Sequence, residues 1–242
     1  MIGKIMLVTL PGFALGALVM ALANRHVTSG VARARWLKLL MFGLIVHTML
    51  GAAAVGRLAL MGVVAVIVAV GTVELAAAWA RLSIPRPSRV WLLYASTAVS
   101  CLWVTGALAP ERFAALYVTT AAFDGFSQVI GQWLGRTRLA PKVSPGKTIE
   151  GALGGLCAAV VVALSTRDLL ALDTGSAALV GIATGVAGLV GDLSASWVKR
   201  RAGLKDYSDR LPGQGGVLDR FDSLLGALVL VGLPWVLAEA FA

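Results

Sequence analysis

From Leu58 to Ala80 the chain passes only one charged residue, Glu74. A bilayer-crossing helix needs about 20 mainly apolar residues to cover the hydrocarbon core, and this chain offers such stretches repeatedly. On that criterion eight spans are expected, at approximately 5–23, 37–56, 58–80, 90–109, 112–134, 149–165, 176–198 and 217–239. The fifth and seventh are polar near their ends, and the sixth is short. Of the 242 residues, 58% are hydrophobic and 14% charged, where a soluble domain carries about a quarter charged. A water-soluble globule is therefore excluded, and so is disorder, which requires apolar poverty. The expected fold class is all-α: a polytopic transmembrane helix bundle. It forms one membrane domain over residues 1–242, with N-terminal spans in 1–110 and the candidate site in 111–242. Met1 to Ala23 reads as a retained first span rather than a signal peptide, since no cleavage region precedes Asn24. Gly154, Gly155, Gly181, Gly185 and Gly188 lie within the spans, and small residues there let helices approach closely.

The basic residues orient this bundle. Arg25, Arg33, Arg35 and Lys38 follow the first span; Arg81, Arg86 and Arg89 the third; Arg136, Arg138, Lys142 and Lys147 the fifth; and Lys199, Arg200, Arg201, Lys205, Arg210 and Arg220 the seventh. The opposite side holds Lys4, Arg57, Arg112 and Arg167. By the positive-inside rule the odd-numbered connections are cytoplasmic and the N-terminus lies outside. The same rule accounts for the net charge of +9 without a nucleic-acid partner.

The raw material for chemistry is limited. Cys101 and Cys157 sit in apolar stretches and read as small hydrophobes. The two histidines, His26 and His47, are too few for a histidine metal centre. Charge within a membrane is costly and marks function by default, which directs attention to the acidic residues by depth. Glu111, Asp168, Asp173 and Glu239 fall at span ends or outer loops and read as solvated. Glu74 is deeper, and either packs against an arginine or belongs to a site. Asp124, Asp192, Asp219 and Asp222 are different: all lie in apolar surroundings near the cytoplasmic ends of spans, and Asp219 and Asp222, three apart, share a helical face. Buried carboxylates need cationic compensation. A set without thiolates and nearly without histidine suits a hard ion, Mg2+ before Zn2+; pairing with nearby arginines is the plain alternative.

Two connections add anion-binding character. Residues 141–151 form a turn containing Ser144, Pro145, Lys147 and Thr148 that opens directly into a helix, an arrangement that suits phosphate. A helix cap alone also explains it. Its Gly146-Lys147-Thr148 echoes the end of a P-loop, but Pro141 stands where that pattern needs glycine. In the segment 191–223, Lys199, Arg200 and Lys205 lie between acidic elements, and Gly213, Gly215 and Gly216 precede the last span. Those glycines would let backbone amides approach a phosphate chain at the helix start.

The pattern Ser196-x-Val198-Lys199-Arg200, four residues, Lys205-Asp206-x-Ser208-x-x-Leu211-Pro212-x-Gln214-Gly215-Gly216-Val217-x-Asp219-Arg220-Phe221-Asp222 closely resembles the signature of phosphatidate cytidylyltransferases, the CDP-diacylglycerol synthases. Ser144-Pro145-x-Lys147-Thr148-x-Glu150-Gly151 resembles a second element of that family, and Asp124 followed by Gly131 and Gly135 a looser third. The likeness covers roughly residues 120–225. It departs at Gln214, where the family usually has histidine; glutamine donates and accepts hydrogen bonds but holds no proton charge.

The resemblance implies transfer of a cytidylyl group from CTP to phosphatidate or a related phospholipid; the charge asymmetry puts the site on the cytoplasmic face, and the compact chain suggests a bacterial inner membrane. It places metal on Asp192 and Asp219, with Asp222 and Asp124 assisting, and Mg2+ as cofactor. Lys199, Arg200 and Lys205 are then expected to neutralise phosphate oxygens, and Asp219, through the metal it holds, is the catalytic carboxylate beside them. Ser144, Pro145, Lys147, Thr148, Ser196, Gln214, Gly215, Gly216 and Arg220 are expected to bind substrate. Membrane lipids surround the protein, and a homodimer is the expected assembly. Two other readings stay open: a CTP-dependent kinase of a polyprenol or diacylglycerol alcohol, which would release CDP, and a cation-coupled transporter using the buried aspartates.

Overall fold

The computed structural model describes residues 2–25, 27–80 and 87–241; His26, Arg81 and Arg86, and the side chain of Lys4, lie outside the described residues. Helices cover all eight apolar stretches: α1 (Ile2–Ala23), α2 (Ser29–Val55), α3 (Arg57–Trp79), α4 (Pro87–Ala107), α5 (Pro110–Leu134), α6 (Ile149–Ser165), a short α7 (Arg167–Leu170), α8 (Thr174–Arg201), α9 (Leu218–Ala227) and α10 (Leu233–Ala240). Among the described residues, five helical stretches are long and apolar enough to cross a membrane: Ser29–Val55, Arg57–Trp79, Arg89–Ala107, Thr174–Arg201 and Leu218–Ala240; Ile149–Ser165 is apolar but shorter. The protein is an all-α membrane bundle with one small addition. Arg138–Ala140 (β1) and Ser144–Thr148 (β2) pair as an antiparallel hairpin between α5 and α6. Sequence reasoning expected only a turn there, because three- and five-residue strands carry too short an alternation to read.

Helix ends follow local chemistry. Thr148 caps α6, its hydroxyl accepting from Gly151 N–H at 3.1 Å, and Asp173 caps α8 through Gly175 and Ser176 N–H. Between α9 and α10 the last span widens into a π turn, Leu228–Gly232. It ends two residues before Pro234, whose missing N–H cannot continue the ordinary helical ladder.

The core is shared by α2, α3, α4, α5, α9 and the π turn after it, with Leu50, Leu60, Val104, Leu116 and Leu228 fully buried. Leu58, Leu92 and Leu179 point outward and are exposed, as a surface meant for lipid requires. Close packing of α5 and α6 depends on Gly155, where an added Cβ would lie 2.7 Å from Phe123 O. Cys101 is buried and Cys157 exposed on α6, both free thiols. His47 is satisfied by Thr9 Oγ1 at 3.1 Å and Gly43 O at 2.8 Å.

The start of α2, the end of α3 and the connections after α5 and α8 meet at one end of the bundle. Arg200 at the end of α8 donates to Val143 O (3.1 Å) and Leu204 O (3.0 Å). Gln214 donates to Lys38 O in α2 at 2.7 Å, and Glu74 near the end of α3 reaches the start of α9.

Candidate active site

The site grows from the crossing of α8 and α9. Gly191 and Gly226 face each other there: an added Cβ on Gly226 would lie 2.6 Å from Ala187 O, and one on Gly191 would run into the Asp222 carbonyl. Only hydrogen on both α-carbons lets the two backbones touch. This contact sets Asp192 on α8 beside Asp222 on α9, and α5 brings Asp124 against them, held by the buried Ser223 hydroxyl at 3.1 Å. Asp124, Asp192 and Asp222 are close enough to act on one another's charge.

Their remaining valences differ. Asp192 pairs with Lys147 Nζ of β2 and accepts from Ser196 Oγ at 3.1 Å. Asp222 Oδ1 accepts from Ser223 N–H at 2.8 Å, while its buried Oδ2 has no hydrogen-bond partner. A buried carboxylate oxygen left empty among further carboxylates is a donor set fit for a hard cation. Among the described residues no three His, Cys, Asp or Glu side chains form a ready-made metal cage. Mg2+ does not require one, since it is commonly held by one or two carboxylates together with substrate phosphates.

Asp219 has other company. Its Oδ1 receives Lys199 Nζ at 2.6 Å, and its Oδ2 accepts from Tyr207 N–H and Gly216 N–H, both at 2.8 Å. The pair is nearly sealed, with Asp219 1% and Lys199 8% exposed at the side chain. The Tyr207 ring lies 5.4 Å from Lys199 Nζ, and its hydroxyl donates to Ala195 O at 3.2 Å. Asp219 and Asp222 thus both turn inward on the first turns of α9, one gripping the loop before it and the other facing the carboxylate cluster.

The other expected site residues lie around this centre. Ser144, Pro145 and Lys147 form β2, and the Thr148 oxygen is engaged in capping α6. Arg200 fastens the hairpin loop to α8 through Val143 O, and the segment following α8 through Leu204 O. Lys205 is exposed and lines a cavity of about 330 Å³ with Asp206, Tyr207 and Asp209 against Ala77 and Ala78 of α3. Gln214 bridges Lys38 O and Arg220, accepting from the guanidinium at 3.0 Å. Gly215 has φ +84° and bridges back to Leu211.

Sequence reasoning expected free amides at the start of α9 for phosphate. Here the amides of Gly216, Val217 and Leu218 donate to Asp219 and Glu74, so the anion at this helix start is a side chain. Glu74 and Ser223 are the participants it did not assign. For Glu74 the signal existed: a lone carboxylate in an otherwise uncharged span is functional by default. Ser223 carried none, because a serine acquires meaning only from the carboxylate it faces.

A family model, described as the cytidylyltransferase family, matches residues 92–236. The chain belongs to the cytidylyltransferase family. Among curated relatives, it is 42% identical to the Escherichia coli (strain K12) protein named Uncharacterized protein YnbB over 111 residues, 46% of this chain and 37% of that one. It is 40% identical to a phosphatidate cytidylyltransferase of Haemophilus influenzae over 119 residues (47% and 41%) and 41% identical to one of Synechocystis over 133 residues (50% and 44%). The chain matches less than half the length of each of these relatives. The cytidylyltransferase match takes in every aspartate, lysine and glycine of the site just described, but not Lys38 or Glu74.

Proposed function

We propose that the protein transfers a cytidylyl group from CTP to phosphatidate, giving CDP-diacylglycerol and pyrophosphate, with Mg2+ as cofactor. The observation that carries this reading is the meeting of Asp124, Asp192 and Asp222 with Lys147 at one end of the bundle, including a buried Asp222 oxygen without a partner. Cytidylyltransferase membership and relatives named phosphatidate cytidylyltransferase support it.

The reaction joins two anions. A phosphate monoester is largely ionised at neutral pH, its second pKa being about 6, so its oxygen attacks the α-phosphorus without a general base. The bond from that phosphorus to the bridging oxygen breaks, and pyrophosphate departs with the electron pair. What the protein must provide is position and countercharge. Asp222 and Asp192, with Asp124 behind them, would hold Mg2+, which when bound supplies charge neutralisation to the phosphate chain. Lys147 is poised to leave Asp192 for a phosphate oxygen, and Lys205 stands exposed at the rim for the same purpose. Asp219 keeps Lys199 oriented; serving also as a metal ligand would require Lys199 to move off it.

In this reading eight spans cross a bacterial inner membrane with the N-terminus outside. The site then faces the cytoplasm, where soluble CTP and the lipid headgroup meet at one depth. A homodimer is its proposed assembly. Purified protein given CTP, Mg2+ and phosphatidate should form a liponucleotide and release pyrophosphate, lose this activity in EDTA and regain it when Mg2+ is restored. Release of CDP with phosphorylation of a lipid alcohol would instead identify a kinase. Nucleotide-independent cation uptake into vesicles would identify a transporter.

A further inference from the structure

The loop that precedes α9 is held by a residue from outside the family match. Glu74 is 1% exposed, and its carboxylate is fully engaged. Oε1 accepts from Ser208 Oγ at 2.5 Å and Val217 N–H at 3.0 Å and lies 3.5 Å from Arg210; Oε2 accepts from Leu218 N–H at 2.8 Å. Val217, the residue at the cap position of α9, provides no side-chain cap of its own. Glu74 therefore caps α9 from a different helix and sets its charge against the positive end of the helix dipole. From the other flank Asp219 takes Gly216 N–H and Tyr207 N–H. Gly216 lies between the two carboxylates: an added Cβ would stand 2.8 and 2.9 Å from the Glu74 oxygens and 3.0 Å from Asp219 Oδ2.

We propose that Glu74 is a positioning residue of the active site, clamping residues 207–218 to α3 so that Lys199, Asp219 and Asp222 are held in their working arrangement. This rests on the cytidylyltransferase reading and deepens it, because it makes the N-terminal helices part of the site. Helix packing alone does not account for the contacts. The side chain reaches past α9 to Ser208 and Arg210 of the loop, while apolar contact between α3 and α9 is made separately by Gly71 against Leu218.

The test uses the full chain in detergent micelles, comparing wild type with Glu74→Gln and Glu74→Ala. Three quantities are read: the trypsin cleavage rate after Lys205 and Arg210, the thermal unfolding temperature, and kcat and KM for CTP and phosphatidate. Loss of charge-assisted hydrogen bonds predicts cleavage and kcat each changing by about tenfold or more in Glu74→Ala. The phosphatidate KM should stay near its wild-type value, and Glu74→Gln, which keeps one acceptor oxygen, should fall between. Wild-type cleavage and wild-type kcat in Glu74→Ala would overturn the proposal. Should Glu74→Ala fail to fold, Gly216→Ala decides, since its methyl must displace both carboxylates; unchanged loop cleavage in that variant would equally overturn it. If the wild type makes no liponucleotide, the assigned activity falls, whereas loop protection still reports whether Glu74 holds the segment.

Discussion

Lys199 and Asp219 form a buried ion pair, Nζ to Oδ1 at 2.6 Å, in which the second aspartate oxygen is occupied by two backbone amides. Breaking a buried pair by removing one partner leaves the other charge stranded and costs about 3–5 kcal/mol. Asp219→Ala is therefore expected to unfold at a markedly lower temperature, as well as losing turnover. Removing both charges, with Lys199→Met and Asp219→Asn together, should recover part of the stability. An alanine variant as heat-resistant as the wild type would show that the pair contributes nothing to the fold.

Lys147 and Asp192 also pair, but both side chains are over a fifth exposed. Pairs of that kind contribute about 0–1 kcal/mol. Lys147→Gln should leave the unfolding temperature nearly unchanged while lowering turnover with CTP by about tenfold or more, as expected when a phosphate loses its countercharge. Normal kinetics in this variant would remove Lys147 from the phosphate site.

Gly191 marks the point where α8 and α9 touch. A methyl group there forces the helices apart at a typical cost of about 1–3 kcal/mol and draws Asp222 away from Asp192. Gly191→Ala should show a raised Mg2+ concentration at half-maximal activity. If the Mg2+ titration is superimposable on that of the wild type, the spacing of these two carboxylates does not control metal binding.

Asp173, in the connection before α8, accepts from the Ser176 hydroxyl at 2.6 Å and from Ser176 and Gly175 N–H at 3.1 and 2.8 Å. These hydrogen bonds, the Ser176 hydroxyl foremost, hold its carboxyl below the ordinary aspartate range. The folded value is the lower one, so the cap stabilises α8 above the ordinary value of about 4 and ceases to do so as pH falls through the lowered value. Unfolding temperatures of wild type and Asp173→Ala should differ at pH 6 and converge as acid protonates the cap. A gap that persists at the lowest pH where both still fold would mean that the carboxylate is not its cause.

Apolar runs are local properties, and so the helices were legible from residue order: a stretch such as Leu58 to Ala80 has few ways to satisfy its backbone in lipid other than by forming a helix. The aspartates, lysines and glycines of the connection before α9 were legible too, because their spacing within a short segment survives without knowledge of the fold. Tertiary structure alone decided which carboxylate does what. Asp219 and Asp222 are three residues apart and look equivalent in sequence. Yet one closes on Lys199 and the loop amides, and the other keeps a buried oxygen free, because their partners come from α8, α5 and the 207–216 loop. Glu74 stands 142 residues before Gly216 in the chain and meets it only because α3 packs against α9. A long-range hydrogen bond leaves no periodicity in a single sequence, and that is why the clamp became visible only in three dimensions.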